Sequence, residues 1–485
     1  MKFRPAALAI ALTALVVAPA TAEQAVVRTE AGLVRGATAD GLQSYLGIPF
    51  ATPPVGTLRW QPPKPKHPWH GVYEATTPRS QCAQIAPAYG GETTYEEDCL
   101  YLNLTTPSTR GHRPVMVWVH GGSNLTGSGS AYNAAKLAAQ GDVVVVTVNY
   151  RLGVMGWLGT GNYGLLDQQA ALRWVQRNAR AFGGDPRNVT LFGESAGAAN
   201  TCANLASPPA KGLFHKAIPQ SFSCTAPART VASATTQATA LTEAVGCADM
   251  TCLRGIPAKT LLETFAAQGA AAGPVAGTKE LPRQPADAIA QGRFHHMPVM
   301  HGNTRDEMRL FVGLTYPTEL TTAQYTGIVT AMFPDRAPEV LAKYPPGDSP
   351  RVALSAIQSD YGTALSTCTH IEAYDLFEAA GVPVYAYQFA DRAAPPLIDL
   401  PDFDEGAEHA TELTYLWKDL LGPLTPAQEQ LSATMVRDWT TFAHKGRPGH
   451  SWPRYHSPAD VLNLAPGDVA PVNVAIRSNC AFWQS

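Results

Sequence analysis

The chain has 485 residues, long enough for one large α/β domain or two average ones, and its 45% hydrophobic and 15% charged residues are those of a globular protein with a substantial core. A formal charge of −3, with no basic run carrying interleaved aromatics, argues against nucleic acid as a partner. Eight cysteines without a C-x-x-C pair or a His-rich tract argue for disulfides, so no metal and no cofactor are expected.

In chain order, Lys2 and Arg4 precede an apolar run from Ala6 to Val17 and then Ala20-Thr21-Ala22. This reads as a secretory signal peptide cleaved after Ala22, leaving residues 23–485 as the exported chain. The apolar run is short for a membrane anchor, and no other stretch is long and apolar enough to span a bilayer. Val26 to Thr29 and Leu33 to Gly36, around Ala31-Gly32, read as a hairpin. The Pro-rich segment from Pro49 to Pro68 reads as an irregular cover pinned by Phe50, Leu58, Trp60 and Trp69.

Short apolar strands are predicted at Leu100 to Leu104 and Val115 to Val119, the second running into His120-Gly121-Gly122-Ser123. Such a loop either aims backbone N–H groups into a cleft or is an ordinary glycine-rich turn. Val143 to Val148 has no polar alternation, as in a parallel strand covered on both faces. Leu165 to Ala181 reads as a helix, and Asp185-Pro186 introduces another strand, Val189 to Phe192. After it, Gly193-Glu194-Ser195-Ala196-Gly197 enters an Ala-rich helical pattern running to Leu205.

A strand turning sharply into a helix at Ser195 needs small residues two positions to either side, and Gly193 and Gly197 supply them. The Ser195 hydroxyl would stand clear of the sheet, with the Ala196 N–H facing the same space and the helix N-terminus favouring negative charge there. These are the needs of a nucleophile that attacks a carbonyl. The succession of strand, glycine loop, strand, helix, strand and elbow defines an α/β pattern with a mainly parallel sheet.

Several motifs together carry a family resemblance. They are Gly47-Ile48-Pro49-Phe50-Ala51 with Pro53-Pro54-Val55-Gly56, Glu97-Asp98-Cys99-Leu100-Tyr101-Leu102-Asn103, Asn149-Tyr150-Arg151, Gly164-Leu165-Leu166-Asp167-Gln168, and Phe182-Gly183-Gly184-Asp185-Pro186 ahead of the elbow. The chain resembles the type-B carboxylesterases, which include the cholinesterases, and among them the secreted bacterial members of para-nitrobenzyl-esterase type. The resemblance spans nearly all of residues 23–485 and is weakest from about Ser223 to Lys279. It implies a single α/β-hydrolase domain whose large, mainly parallel sheet is flanked by helices, with irregular insertions over an active-site cleft.

The resemblance also implies a triad of Ser195, Glu307 and His409. Glu307 closes Asn303-Thr304-Arg305-Asp306-Glu307 after the apolar Pro298-Val299-Met300, and Asp306 is its nearest competitor. Met308 stands where the family usually has glycine. His409 lies in Gly406-Ala407-Glu408-His409-Ala410-Thr411-Glu412, ahead of Leu413, Tyr415, Leu416 and Trp417. The family's oxyanion donors map to the N–H groups of Gly122, Ser123 and Ala196, with Gly121 freeing the loop and Ser123 replacing a third glycine. Glu194 matches the family's buried acidic neighbour, holding a water or a backbone group or taking part directly. The family's disulfides map to Cys82 with Cys99, Cys247 with Cys252, and Cys368 with Cys480, leaving Cys202 and Cys224 to each other.

The segment Ala83 to Asp98 has only Tyr89 and Tyr95 where cholinesterases carry a tryptophan for a quaternary ammonium group, so choline esters are not the expected substrates. The resemblance implies a secreted serine carboxylesterase for small, uncharged, short-acyl or aryl esters. Tyr89, Phe222 and Phe311 are candidates to line the acyl or alcohol side, although large aromatics in such a fold are more often core. Ala226 to Ala240 and Ala266 to Gly277 read as loops or a surface helix near the cleft mouth, and Thr315 to Asp348 as a partial lid of helices. A monomer is favoured. Two other functions fit the same residues: a non-catalytic cholinesterase-like binding protein, and an amidase, lactonase or acyltransferase.

Overall fold

The computed structural model describes residues 25–87 and 90–484. The leader expected at residues 1–22 and the pocket candidate Tyr89 lie outside them. In chain order the strands are β1 (Val26–Thr29), β2 (Gly32–Arg35), β3 (Ala37–Ala39), β4 (Leu42–Pro49), β5 (Val72–Glu74), β6 (Tyr101–Thr106), β7 (Arg113–Val119) and β8 (Val144–Val148). Then come β9 (Gly184–Glu194), β10 (Lys216–Gln220), β11 (Arg229–Thr230), β12 (Val275–Ala276), β13 (Val299–Thr304), β14 (Val384–Phe389), β15 (Val461–Leu464) and β16 (Pro471–Val472). Eleven of them form one sheet in the order β16-β15-β14-β13-β10-β9-β7-β8-β6-β4-β3. From β8 through β7, β9, β10, β13 and β14 to β15 each pairing is parallel.

Strand side chains alternate between faces, and here each face has its own core. Val115, Val117 and Val119 of β7 join Leu172, Trp174 and Val175 of the helix Tyr163–Asn178. Met116 and Trp118 join Met435, Val436 and Trp439 of the helix Pro426–Lys445 on the other face. Burial on both faces explains the unbroken apolar runs of β7 and β8. β8 pairs in parallel with β7 but antiparallel with β6, a mixed environment that its composition did not distinguish.

The expected hairpin is β1–β2, in the register Val27↔Val34, and β5 adds a third strand beside it. Phe50 and Trp60 of the Pro-rich cover are buried, and the Trp60 indole donates to Val154 O at 2.8 Å. The eight cysteines form four pairs at disulfide geometry: Cys82–Cys99, Cys202–Cys224, Cys247–Cys252 and Cys368–Cys480.

The partial lid expected from Thr315 to Asp348 is corrected. That segment is helical at Thr322–Met332 and Ala337–Lys343, but it lines neither cavity beside Ser195. Its Tyr325, Val329 and Val340 are buried in the main core, so it is an anchored layer. The two Ala-rich segments do reach the cleft. Ala226 to Ala228 and Ala271 to Pro274 line a cavity at Ser195, and β11 and β12 pair just behind them.

Candidate active site

β9 delivers Ser195 at the C-terminal edge of the sheet, where the chain turns into the helix Ala196–Ala206. Ser195 has φ 56° and ψ −124°, a conformation few non-glycine residues adopt, held in part by its N–H donating to Gln220 O at 2.8 Å. A Cβ on Gly193 would lie 2.5 Å from Val119 O, and one on Gly197 only 2.0 Å from the same oxygen. The helix therefore crosses β7 in contact with its backbone, and that is the physical need for both glycines.

After β13, Glu307 turns back beneath its own strand. Its Oε1 accepts the Thr304 N–H at 2.8 Å, and its Oε2 accepts from His409 Nδ1 at 2.6 Å. Both side chains are buried. Asp306 points elsewhere, receiving both Arg392 Nε (2.8 Å) and Nη2 (2.6 Å) and the Ala407 N–H (3.0 Å). Met308 begins the helix Met308–Thr315, a right-handed conformation that requires no glycine.

The other edge of the His409 ring faces Glu194, with Nε2 3.0 Å from Glu194 Oε1. This is a charge contact, not an aligned hydrogen bond, because that oxygen makes none. Ser195 Oγ and His409 Nε2 line the same cavity without a hydrogen bond between them among the described residues. Burial disfavours a charged His409, but the carboxylates of Glu194 and Glu307 outweigh it and hold the imidazole well above its ordinary value. Burial raises Glu194 despite the nearby His409.

The loop after β7 carries Gly121, Gly122 and Ser123 up to the serine. A Cβ on Gly121 would lie 2.8 Å from Glu194 Oε2 and 3.1 Å from Ser195 Cβ, and Gly122 has φ 94°. Ser123 and Asn124 follow in the left-handed region, at φ 56° and 58°. The loop is tied down by Leu125 and Thr126 N–H groups donating to Gly122 O, and by Asn200 Nδ2 donating to Asn124 Oδ1 at 2.8 Å. Asn200 belongs to the helix behind Ser195, so loop and elbow move together. Among the described residues the N–H groups of Gly122, Ser123 and Ala196 have no acceptor. Behind them His120 is kept neutral: burial pushes it down to about 4, only partly offset by its bond to Gly121 O.

Two cavities meet at Ser195. One, of about 380 Å³, is lined by Ser123, Ala196, Phe222 and Phe311 and has eight alanines in its wall. The second, of about 250 Å³, is lined by Gly121, Gly122, Glu194, His409 and again Phe311, whose ring centre is 5.2 Å from that of His409. Phe222 and Phe311 are thus cavity walls. Among the described residues no group of three or more His, Cys, Asp or Glu side chains is placed to hold a metal ion, and no helix is long and apolar enough to cross a membrane.

Sequence reasoning missed Glu412. It is wholly buried, accepts from Gln220 Nε2 at 3.2 Å, and is pushed up to about 8 by burial first and then by the charges of Glu194 and Glu307. An acidic residue leading into the apolar run Leu413 to Trp417 was the available signal.

The carboxylesterase family model matches residues 23–483. The chain is 35% identical over 465 residues to a para-nitrobenzyl esterase of Bacillus subtilis (strain 168), covering 89% of this chain and 92% of that one. It is 33% identical over 506 residues to a cocaine esterase of Homo sapiens, covering 93% and 88%. A solved carboxylesterase of Geobacillus stearothermophilus superposes with a TM-score of 0.81 at 32% identity, covering 94% of this chain and 99% of that one. The chain belongs to the carboxylesterase family. It has the α/β-hydrolase fold and is a carboxylic ester hydrolase.

Proposed function

We propose that the chain is a serine carboxylesterase acting through an acyl-enzyme on Ser195. Ser195 Oγ attacks the ester carbonyl carbon while His409 takes its proton, and the collapsing intermediate breaks the ester C–O bond as His409 returns that proton to the departing alcohol. Water, activated by the same histidine, then releases the acid. Glu307 orients the imidazole and stabilises its charged form. The N–H groups of Gly122, Ser123 and Ala196 receive the developing oxyanion, each such donor being worth about 3 kcal/mol of barrier.

The observation that carries this reading is the 2.6 Å bond between Glu307 and His409, with His409 lining the same cavity as a serine held at φ 56°. Because His409 lines only the second cavity, that cavity receives the alcohol and the alanine-walled one receives the acyl group. The reading extends to small, uncharged short-acyl or aryl esters as substrates. It also includes export, with a leader removed after Ala22, and a single domain over residues 23–485. Four disulfides and the want of a spanning helix among the described residues are compatible with export.

The test is hydrolysis of p-nitrophenyl acetate, butyrate, octanoate and benzoate by the protein and by Ser195→Ala. Turnover that falls by several orders of magnitude in a folded variant supports the acyl-enzyme. Equal activity in both would sink it.

A further inference from the structure

The alanine-walled cavity carries one charged residue. Ala199, Ala203, Ala226, Ala228, Ala271 and Ala272 belong to its apolar wall, and among the described residues Arg229 is the only ionisable residue that lines it. No carboxylate offsets that charge: Arg229 has no ion pair among the described residues. Burial, without any acidic neighbour, lowers its tendency to hold a proton. A partly desolvated guanidinium with no counter-ion is unfavourable unless something supplies one.

Arg229 is also rigidly held. Its own N–H donates to Pro274 O at 3.0 Å, and β11 pairs it in register with Val275 of β12. Val275 is in turn gripped by Asn162, which donates to its carbonyl at 3.0 Å and accepts from its N–H at 2.8 Å. On the other side Gln284 binds Ala228 at both its N–H (2.7 Å) and its carbonyl (3.1 Å). The guanidinium spends Nη1 on Trp157 O at 3.1 Å and Nη2 on Gln237 Oε1. A guanidinium has five N–H donors, so three stay available.

We propose that the acyl cavity recognises acyl groups ending in a carboxylate, so that monoesters of dicarboxylic acids are a substrate class of this enzyme, with Arg229 binding the free carboxylate end. The reaction is the same ester hydrolysis, and its product is the dicarboxylate. The alanine wall accepts the carbon chain or ring between the two carboxyl groups. A charge-assisted, bidentate contact favours an acyl group that carries the carboxylate over its uncharged match, which the cavity still accepts.

This inference rests on the esterase reading above, and the assay separates the two. Values of kcat/KM are measured for p-nitrophenyl monoesters of adipic, suberic and terephthalic acid beside the matched hexanoate, octanoate and benzoate. The wild type is expected to favour at least one carboxylate-ended ester over its neutral match by tenfold or more, and Arg229→Gln to reduce that ratio at least tenfold. Arg229→Lys, which keeps the charge but not the fork, is expected to fall between. A second reading needs no variant: adipate should inhibit hydrolysis of p-nitrophenyl butyrate at a lower concentration than hexanoate does. If the wild type hydrolyses neutral esters without preference and adipate inhibits no better than hexanoate, the proposal is wrong and Arg229 only braces the wall through Trp157 and Gln237. If no ester of either kind is turned over, the esterase reading itself falls.

Discussion

Asp306 and Ala407 are joined by two hydrogen bonds. The Asp306 N–H donates to Ala407 O at 2.9 Å, and the Ala407 N–H donates to Asp306 Oδ2 at 3.0 Å. Asp306 is next to Glu307 and Ala407 is two residues before His409, so this pair sets the spacing of the turn and loop that carry the proposed acid and base. Arg392 locks the carboxylate from outside, and Arg309 pairs with Asp404 in the same loop.

Asp306→Ala is therefore expected to lower kcat by about tenfold to a hundredfold, because small displacements of catalytic groups are that expensive. Asp306→Asn keeps an acceptor for the Ala407 N–H and should lose less. Steady-state kinetics on p-nitrophenyl butyrate decide it, and an unchanged kcat in Asp306→Ala would show that the loop holds its place without the pin.

Gly197→Ala would push a methyl group against the Val119 carbonyl, part of a central strand that cannot yield. A loss of about 1–3 kcal/mol is expected from overpacking. Gly255→Ala, where no heavy atom lies within 4 Å of the added carbon, should stay within about 0.5 kcal/mol of wild type. Urea unfolding of the two variants makes the comparison.

Glu194→Gln removes one of the two carboxylates that favour a charged His409. A histidine acts as base only when neutral, so activity rises as pH passes its raised pKa. In the variant the acidic limb of the pH profile of kcat/KM is expected to move to lower pH. A limb that does not move would mean that Glu194 carries no charge where the enzyme works.

Glu412 favours its neutral form in the folded protein, pushed up to about 8 from an ordinary 4.5. The stability this represents is complete below about 4.5 and is lost as pH rises through about 8. Glu412→Gln removes the ionisation and keeps an acceptor for Gln220. Its melting temperature relative to wild type is expected to be higher at pH 9 than at pH 5, and a constant difference would refute the buried-acid account.

The sequence by itself determined the parallel core and the elbow, because both rest on local chemistry. Unbroken valine runs suit strands covered on two faces, and only glycine at 193 and 197 lets a helix cross a strand backbone. It also singled out Glu307 and His409, through the family resemblance of the segments that carry them. Only the tertiary structure decided how those motifs meet: which oxygen of Glu307 faces His409, that Asp306 pins the two loops, and that Nε2 faces Glu194. These relationships join residues about a hundred or more positions apart, and pairings at that distance leave no periodicity or composition to read. The lid expectation failed for the same reason. Helical pattern placed helices between Thr315 and Asp348, but which face of the molecule bury Tyr325 and Val329 depends on the packing of distant elements. Arg229 was invisible too: its want of a counter-ion is a property of the cavity around it, assembled from seven separate segments of chain.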